Sequence, residues 1–153
     1  MTPLQILATS LAYAIMADDD AATEEKAKMV GLLGKHLADG EISGRGLKDL
    51  SATAFSHARR ENMAIFLETH SPSLSRGQKL CILINLFDMI MADGHLKLGE
   101  AEVLASFRTA FGFSKSEMRP IQKVLQMKND TAMFFEPNHP ANSPQFKLDL
   151  SPE

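Results

Sequence analysis

The side chains best suited to chemistry lie in two short acidic segments. The first, Asp18-Asp19-Asp20 followed by Glu25, puts four carboxylates within eight residues. The second, Asp93-Gly94-His95-Leu96-Lys97-Leu98-Gly99-Glu100, repeats the same spacing from a leading aspartate to a closing glutamate. Carboxylate oxygens are hard ligands for calcium, magnesium or manganese. Three adjacent carboxylates repel one another unless water or a cation separates them. The second segment also matches the latter half of a calcium loop, with an aspartate, a turn glycine, an aliphatic two residues on and a glutamate opening the exit helix. The positions four and two residues before Asp93 are Met89 and Met91, and thioethers do not bind calcium. An EF-hand is therefore excluded, and a complete hard-cation site needs ligands from elsewhere in the chain. The competing reading is that the carboxylates cap helices and complement their N-terminal dipoles. One loop alone favours capping; two matched loops favour a cation. The candidate metal ligands are Asp18, Asp20, Glu25, Asp93 and Glu100.

These loops sit between helices. Thr2-Pro3 reads as an N-cap and first helical position, and Leu4, Leu7, Leu11 and Ile15 recur at helical spacing up to Ala17. Thr23 opens a second helix with Glu24 and Glu25 in its first turn, and Met29, Leu32, Leu33 and Leu37 form its apolar stripe. A long third helix is expected from Gly46 to Glu68, with Leu47, Leu50, Ala54, Ala58, Ile65 and Phe66 inward. Ser75 caps a fourth, apolar on most sides and so expected at the centre. A fifth runs from Gly99 to Phe111, and Ser114 to Glu117 matches a capping box for a sixth, in which Pro120 falls early. No stretch alternates with period two, so no sheet is expected. The reading is an all-α bundle of about six helices over residues 1–128. A proline-rich tail, 129–153, is expected to pack weakly, with Met133, Phe134, Phe135 and Phe146 as its available anchors.

Ile15-Met16-Ala17-Asp18 recurs as Ile90-Met91-Ala92-Asp93, 75 positions later. Under that offset Glu25 meets Glu100 and Met29 meets Leu104. The repeats, about 4–37 and 79–112, read as a duplicated helical hairpin. Each copy leaves an apolar face for its twin to cover, which would bring the first and fourth helices together.

The pattern of an apolar helix, then Ala-Asp, then a glutamate seven residues after the aspartate, occurring twice, resembles the TerB-like tellurite-resistance family. The segment 17–33 is similar to that family's first motif, and Ala92-Asp93-Gly94 through Glu100, ending in Phe111-Gly112-Phe113, to its second. The resemblance spans about residues 5–125. It implies an all-α duplicated fold, divalent-cation binding through Asp18, Glu25, Asp93 and Glu100, and a role in responses to tellurite and related stress. It also implies action through a protein partner, including peripheral association with a membrane protein. One departure is Asp19, where the family usually has glycine. Calcium is the favoured cation, with magnesium, manganese and zinc as alternatives.

Other features narrow the classes. The formal net charge is −3 and no basic stripe is evident, so a nucleic-acid partner is not expected. No positive region precedes the apolar start, and the longest apolar runs contain Asn85 and Asp88. Neither a signal peptide nor a membrane span is expected, and the chain reads as cytoplasmic. His36, His57, His70, His95 and His139 form no zinc-protease or di-iron motif. His57 and Glu61 are an expected surface pair. The lone Cys81, set among aliphatics, reads as buried filler. Asp88 is either hydrogen-bonded inside the bundle or part of the acidic cluster. No nucleophile-base pair, phosphate loop or dinucleotide fingerprint is present, so no catalytic residue is assigned. The expectation is a non-enzymatic cation-binding module. The alternative is a metal-free structural interaction domain whose acidic loops are only caps.

Overall fold

The computed structural model describes residues 1–17, 23–40, 42–91 and 96–152; the side chains of 23–26, 28 and 36–38 lie outside that description. Among the described residues there are seven α-helices and no strand. They are α1 Pro3–Met16, α2 Thr23–Ala38, α3 Gly44–Arg60, α4 Met63–His70, α5 Arg76–Ile90, α6 Leu98–Phe111 and α7 Lys115–Asn129. The all-α reading holds. No described helix is long and apolar enough to cross a membrane.

α1 forms the centre. Ten consecutive residues, Ile6 to Ile15, are buried, where the periodicity gave a single stripe. Ala8, Ala12 and Ala14 let neighbouring helices approach on the faces that Leu7, Leu11 and Ile15 leave. The two polar residues in this run satisfy themselves locally: Thr9 Oγ1 donates to the Gln5 carbonyl at 2.7 Å and Ser10 Oγ to that of Ile6 at 2.6 Å. α1 packs chiefly on α3 and α5, and α5 on α6. The pairing is reciprocal, because α1 also touches α6 while α5 touches α2. α2 begins at Thr23 and α6 at Leu98, separated by the same offset as the repeated segments.

The expected long third helix is two. α3 ends at Arg60, Glu61 is extended with φ −116° and ψ 137°, and Asn62 caps α4 by accepting from the Ala64 N–H at 2.8 Å. The break frees the Glu61 carbonyl, and the Tyr13 hydroxyl donates to it at 2.7 Å. Propensity alone favoured continuation; a local asparagine cap and a tertiary hydrogen bond decided otherwise. Phe66 is buried as expected, but Ile65 is 55% exposed because the break rotates it outward. Cys81 is exposed, not buried: α5 turns that face to solvent, and Asn85 Nδ2 donates to the Cys81 carbonyl at 2.8 Å. Asp88 is buried and held by α7, accepting from Lys128 Nζ at 2.8 Å and Asn129 Nδ2 at 3.0 Å.

After α7 the chain makes two short 3-10 turns, Ala132–Phe134 and Pro140–Asn142, and runs back along α7. His139 Nε2 meets Asp130 Oδ2 at 3.0 Å, and Lys123 Nζ donates to the Ser151 carbonyl at 3.3 Å. Phe134 and Phe135 do not anchor it, being 80% and 81% exposed. Phe146 and Leu148 instead line a groove against Met127 and Gln126.

Near the α3–α4 break, the rings of Tyr13, His57, Phe66 and His70 form one cluster, with His57 paired to Glu61. Burial, reinforced by the charge of Glu61, pushes the Tyr13 hydroxyl up to about 12. Burial first, then the chain's amino terminus and His57, lower the His70 imidazole from its ordinary value of 6.5, although Glu61 opposes them.

Tyr13→Phe should lower stability by about 1 kcal/mol, since it removes one hydrogen bond and strands the Glu61 carbonyl. That is a fall in Tm of roughly 2–6 °C, measured by circular dichroism. For His70 the folded state binds fewer protons than the unfolded state below pH 6.5. Its contribution is present above that pH and lost as pH falls through the lowered folded value. Tm should therefore drop as pH falls below about 6.5, and His70→Gln should flatten this part of the profile. The loss carried by Glu117, Asp130 and Asp149, whose carboxyls backbone hydrogen bonds hold low, comes at more acid pH, below their ordinary 4.5 and 3.8.

Candidate cation site

The helices that flank the two acidic segments meet through backbone packing. α1 ends with Ala17 as its C-cap, and the chain passes directly into the acidic run. α6 starts two residues before Glu100, and its Gly99 lies against Ala17: a Cβ built on Gly99 would stand 2.7 Å from the Ala17 carbonyl oxygen. Only a residue without a side chain permits that approach. The exit of the first repeat's leading helix and the entry of the second repeat's following helix are thereby in contact. Gly99 was legible as a helix-start residue, and its packing against Ala17 was not, because no local pattern reports a contact between residues so far apart in sequence.

Glu100 is the described ligand candidate. It is completely buried in the first turn of α6. Its Oε1 accepts from the Lys97 N–H at 3.3 Å, the reach-back of a capping box, while its Oε2 has no hydrogen-bond partner among the described residues. Leaving a buried polar atom unpaired costs about 1–3 kcal/mol, and more when it is charged. One oxygen is thus used as a cap and the other remains available to a ligand.

Asp18, Asp20 and Asp93 lie outside the described residues, as does His95. Glu25 falls in the first turn of α2, with its side chain outside the description. Among the described residues no three of His, Cys, Asp and Glu converge. Asp88, the other acidic residue near the end of α5, is engaged by α7, which answers one of the two readings open for it.

A groove of about 710 Å³ lies elsewhere, between α4 and α6. Its walls include Met63, Leu67, Ala105 and Ala110, and its charged member is Glu68. It contains none of the candidate ligands.

Comparison with protein-family models, with curated proteins and with solved structures gives no match.

The contact between Gly99 and Ala17 can be tested by paired substitutions. Gly99→Ala should destabilise by about 1–3 kcal/mol, because the obstructing atom is backbone and cannot swing aside. Gly34→Ala in α2, where an added Cβ meets nothing within 4 Å, should be neutral or stabilising by up to about 1 kcal/mol. Chemical denaturation of both variants reads the difference.

Proposed function

We propose that this chain is a non-enzymatic helical module that binds a hard divalent cation, as TerB-like stress-response proteins do, and acts through a protein partner in the cytoplasm. The observation that carries the reading is the orphaned Oε2 of the buried Glu100. A carboxylate sequestered at a loop-helix junction, with one oxygen unpaired, is what a cation ligand presents before the cation is counted. The packing of Ala17 on Gly99 supports a single site drawing on both loops over two separate ones. Each loop alone offers too few oxygens for the ~6–8 that calcium takes. The proposed ligand set is Asp18, Asp20, Glu25, Asp93 and Glu100, with calcium favoured over magnesium, manganese and zinc on the hardness of all-oxygen ligands. The specific observation favouring the metal-free interaction domain is the capping bond from Glu100 Oε1 to Lys97, which gives that glutamate a role without any ion.

Thermal denaturation of chelator-stripped protein separates the two. A ligand bound only by the native state stabilises it by about 2.7 kcal/mol at a hundredfold excess over its dissociation constant. Calcium or manganese should raise Tm, and Glu25→Gln combined with Glu100→Gln should abolish the rise. A shared site fails with either single change, whereas separate sites each keep half the stoichiometry by calorimetry. An unchanged Tm at millimolar excess of every cation assigns the carboxylates to helix capping.

A further inference from the structure

α7 carries a basic ridge. Lys115, Arg119 and Lys123 stand at i, i+4 and i+8, on one face of the helix. The chain's own tail uses one end of it. Running antiparallel to α7, the tail places Asp149 Oδ2 3.8 Å from Lys123 Nζ, gives the Ser151 carbonyl to the same ammonium, and lines the groove beside it with Phe146 and Leu148. The groove therefore already holds a segment in which apolar residues flank an acidic one.

Among the described residues, none of the tail lines the next stretch of the ridge. There a recess of about 230 Å³ opens between α5, α6 and α7. Its floor is apolar, from Phe87, Leu104 and Met118, with Leu96 at its edge, 44% exposed. Its rim carries Arg108, Lys115 and Arg119, and no carboxylate among the described residues lines it. Arg108 is fixed by donating from Nη1 to the Phe113 carbonyl at 2.8 Å, the bond that closes the α6–α7 turn at Gly112. None of these three cations has a carboxylate partner among the described residues, in contrast to Lys123 and Lys128.

We propose that this recess binds an extended segment of a partner protein in which acidic and apolar residues alternate, laid antiparallel to α7 as a continuation of the path that the tail follows. The spacing supports the match. Residues four apart on a helix are separated by about 6 Å along its axis. Every second side chain of an extended strand points the same way, at about 6.6 Å intervals. An acidic residue at alternate positions thus meets Arg119 and then Lys115, while the intervening apolar side chains turn toward Phe87, Leu104 and Met118. In the tail itself Ser151 stands at the alternate position after Asp149. The apolar floor separates this from a surface that attracts anions by charge alone.

The test uses the full chain in EDTA, so that its outcome is independent of the cation reading, and a fluorescein-labelled synthetic peptide of alternating aspartate and leucine. Anisotropy should report saturable binding that weakens with added salt. Lys115→Glu combined with Arg119→Glu should weaken it by about tenfold or more. Arg119→Gln should weaken it by a smaller factor, and it serves as the readout if the double variant fails to fold. Amide shifts on titration should concentrate at Leu96, Ala101, Arg119 and Gln122. The proposal is overturned by absence of saturable binding or by indifference to both variants. It is equally overturned if the shifts map elsewhere, if a polyglutamate peptide of equal charge binds as well, or if dodecanoate binds the recess and the peptide does not.

Discussion

The arrangement of this bundle turns on how closely two helix ends can approach. α1 is buried from Ile6 to Ile15, so every neighbour must reach it over short side chains, and at its end the neighbour reaches it with backbone. Gly99 against the Ala17 carbonyl is that contact. It sets the distance between the repeats, fixes where the first turn of α6 begins, and leaves the next residue, Glu100, wholly inside the protein. A side chain at position 99 would push α6 outward and bring water to the carboxylate. The burial of Glu100, and with it the chemistry proposed for the loops, follows from the absence of one Cβ.

Helix identity was legible because it rests on local signals. Thr2, Ser75 and Ser114 each accept from the backbone N–H three residues on and donate their own N–H to the side-chain oxygen of the glutamine or glutamate there, and each opens the helix expected there. Gly112, with φ +79°, ends α6 where the apolar period stops. Pro120 is accommodated inside α7 without ending it. What failed to show was anything decided by a distant partner. The break at Glu61 is stabilised by Tyr13, 48 residues away. The outward turn of Cys81 follows from which face of α5 meets α1, and a run of aliphatics does not encode that.

The candidate site divides along the same line. The matched spacing of aspartate and glutamate singled out Glu100 as a candidate. Its burial was not legible, since a glutamate in a first helical turn is ordinarily solvated. The basic ridge on α7 is hidden for a different reason: three cations spaced by four register neither in net charge nor in runs of adjacent like residues. Only a helical projection collects Lys115, Arg119 and Lys123 on one side.

The two surfaces are not independent pieces of the fold. α5 ends at Met91, one residue from the second acidic segment, and the same Met91 lines the groove in which Phe146 and Leu148 lie. One turn earlier, Asp88 is tied to Lys128 and Asn129 at the end of α7. The last turn of α5 is therefore held from the α7 side by an ion pair between the buried Asp88 and the half-exposed Lys128, and from the tail side by packing. Each flank of the proposed site thus has a contact of its own: Met91 beside the groove between α7 and the tail, and Ala17 against Gly99.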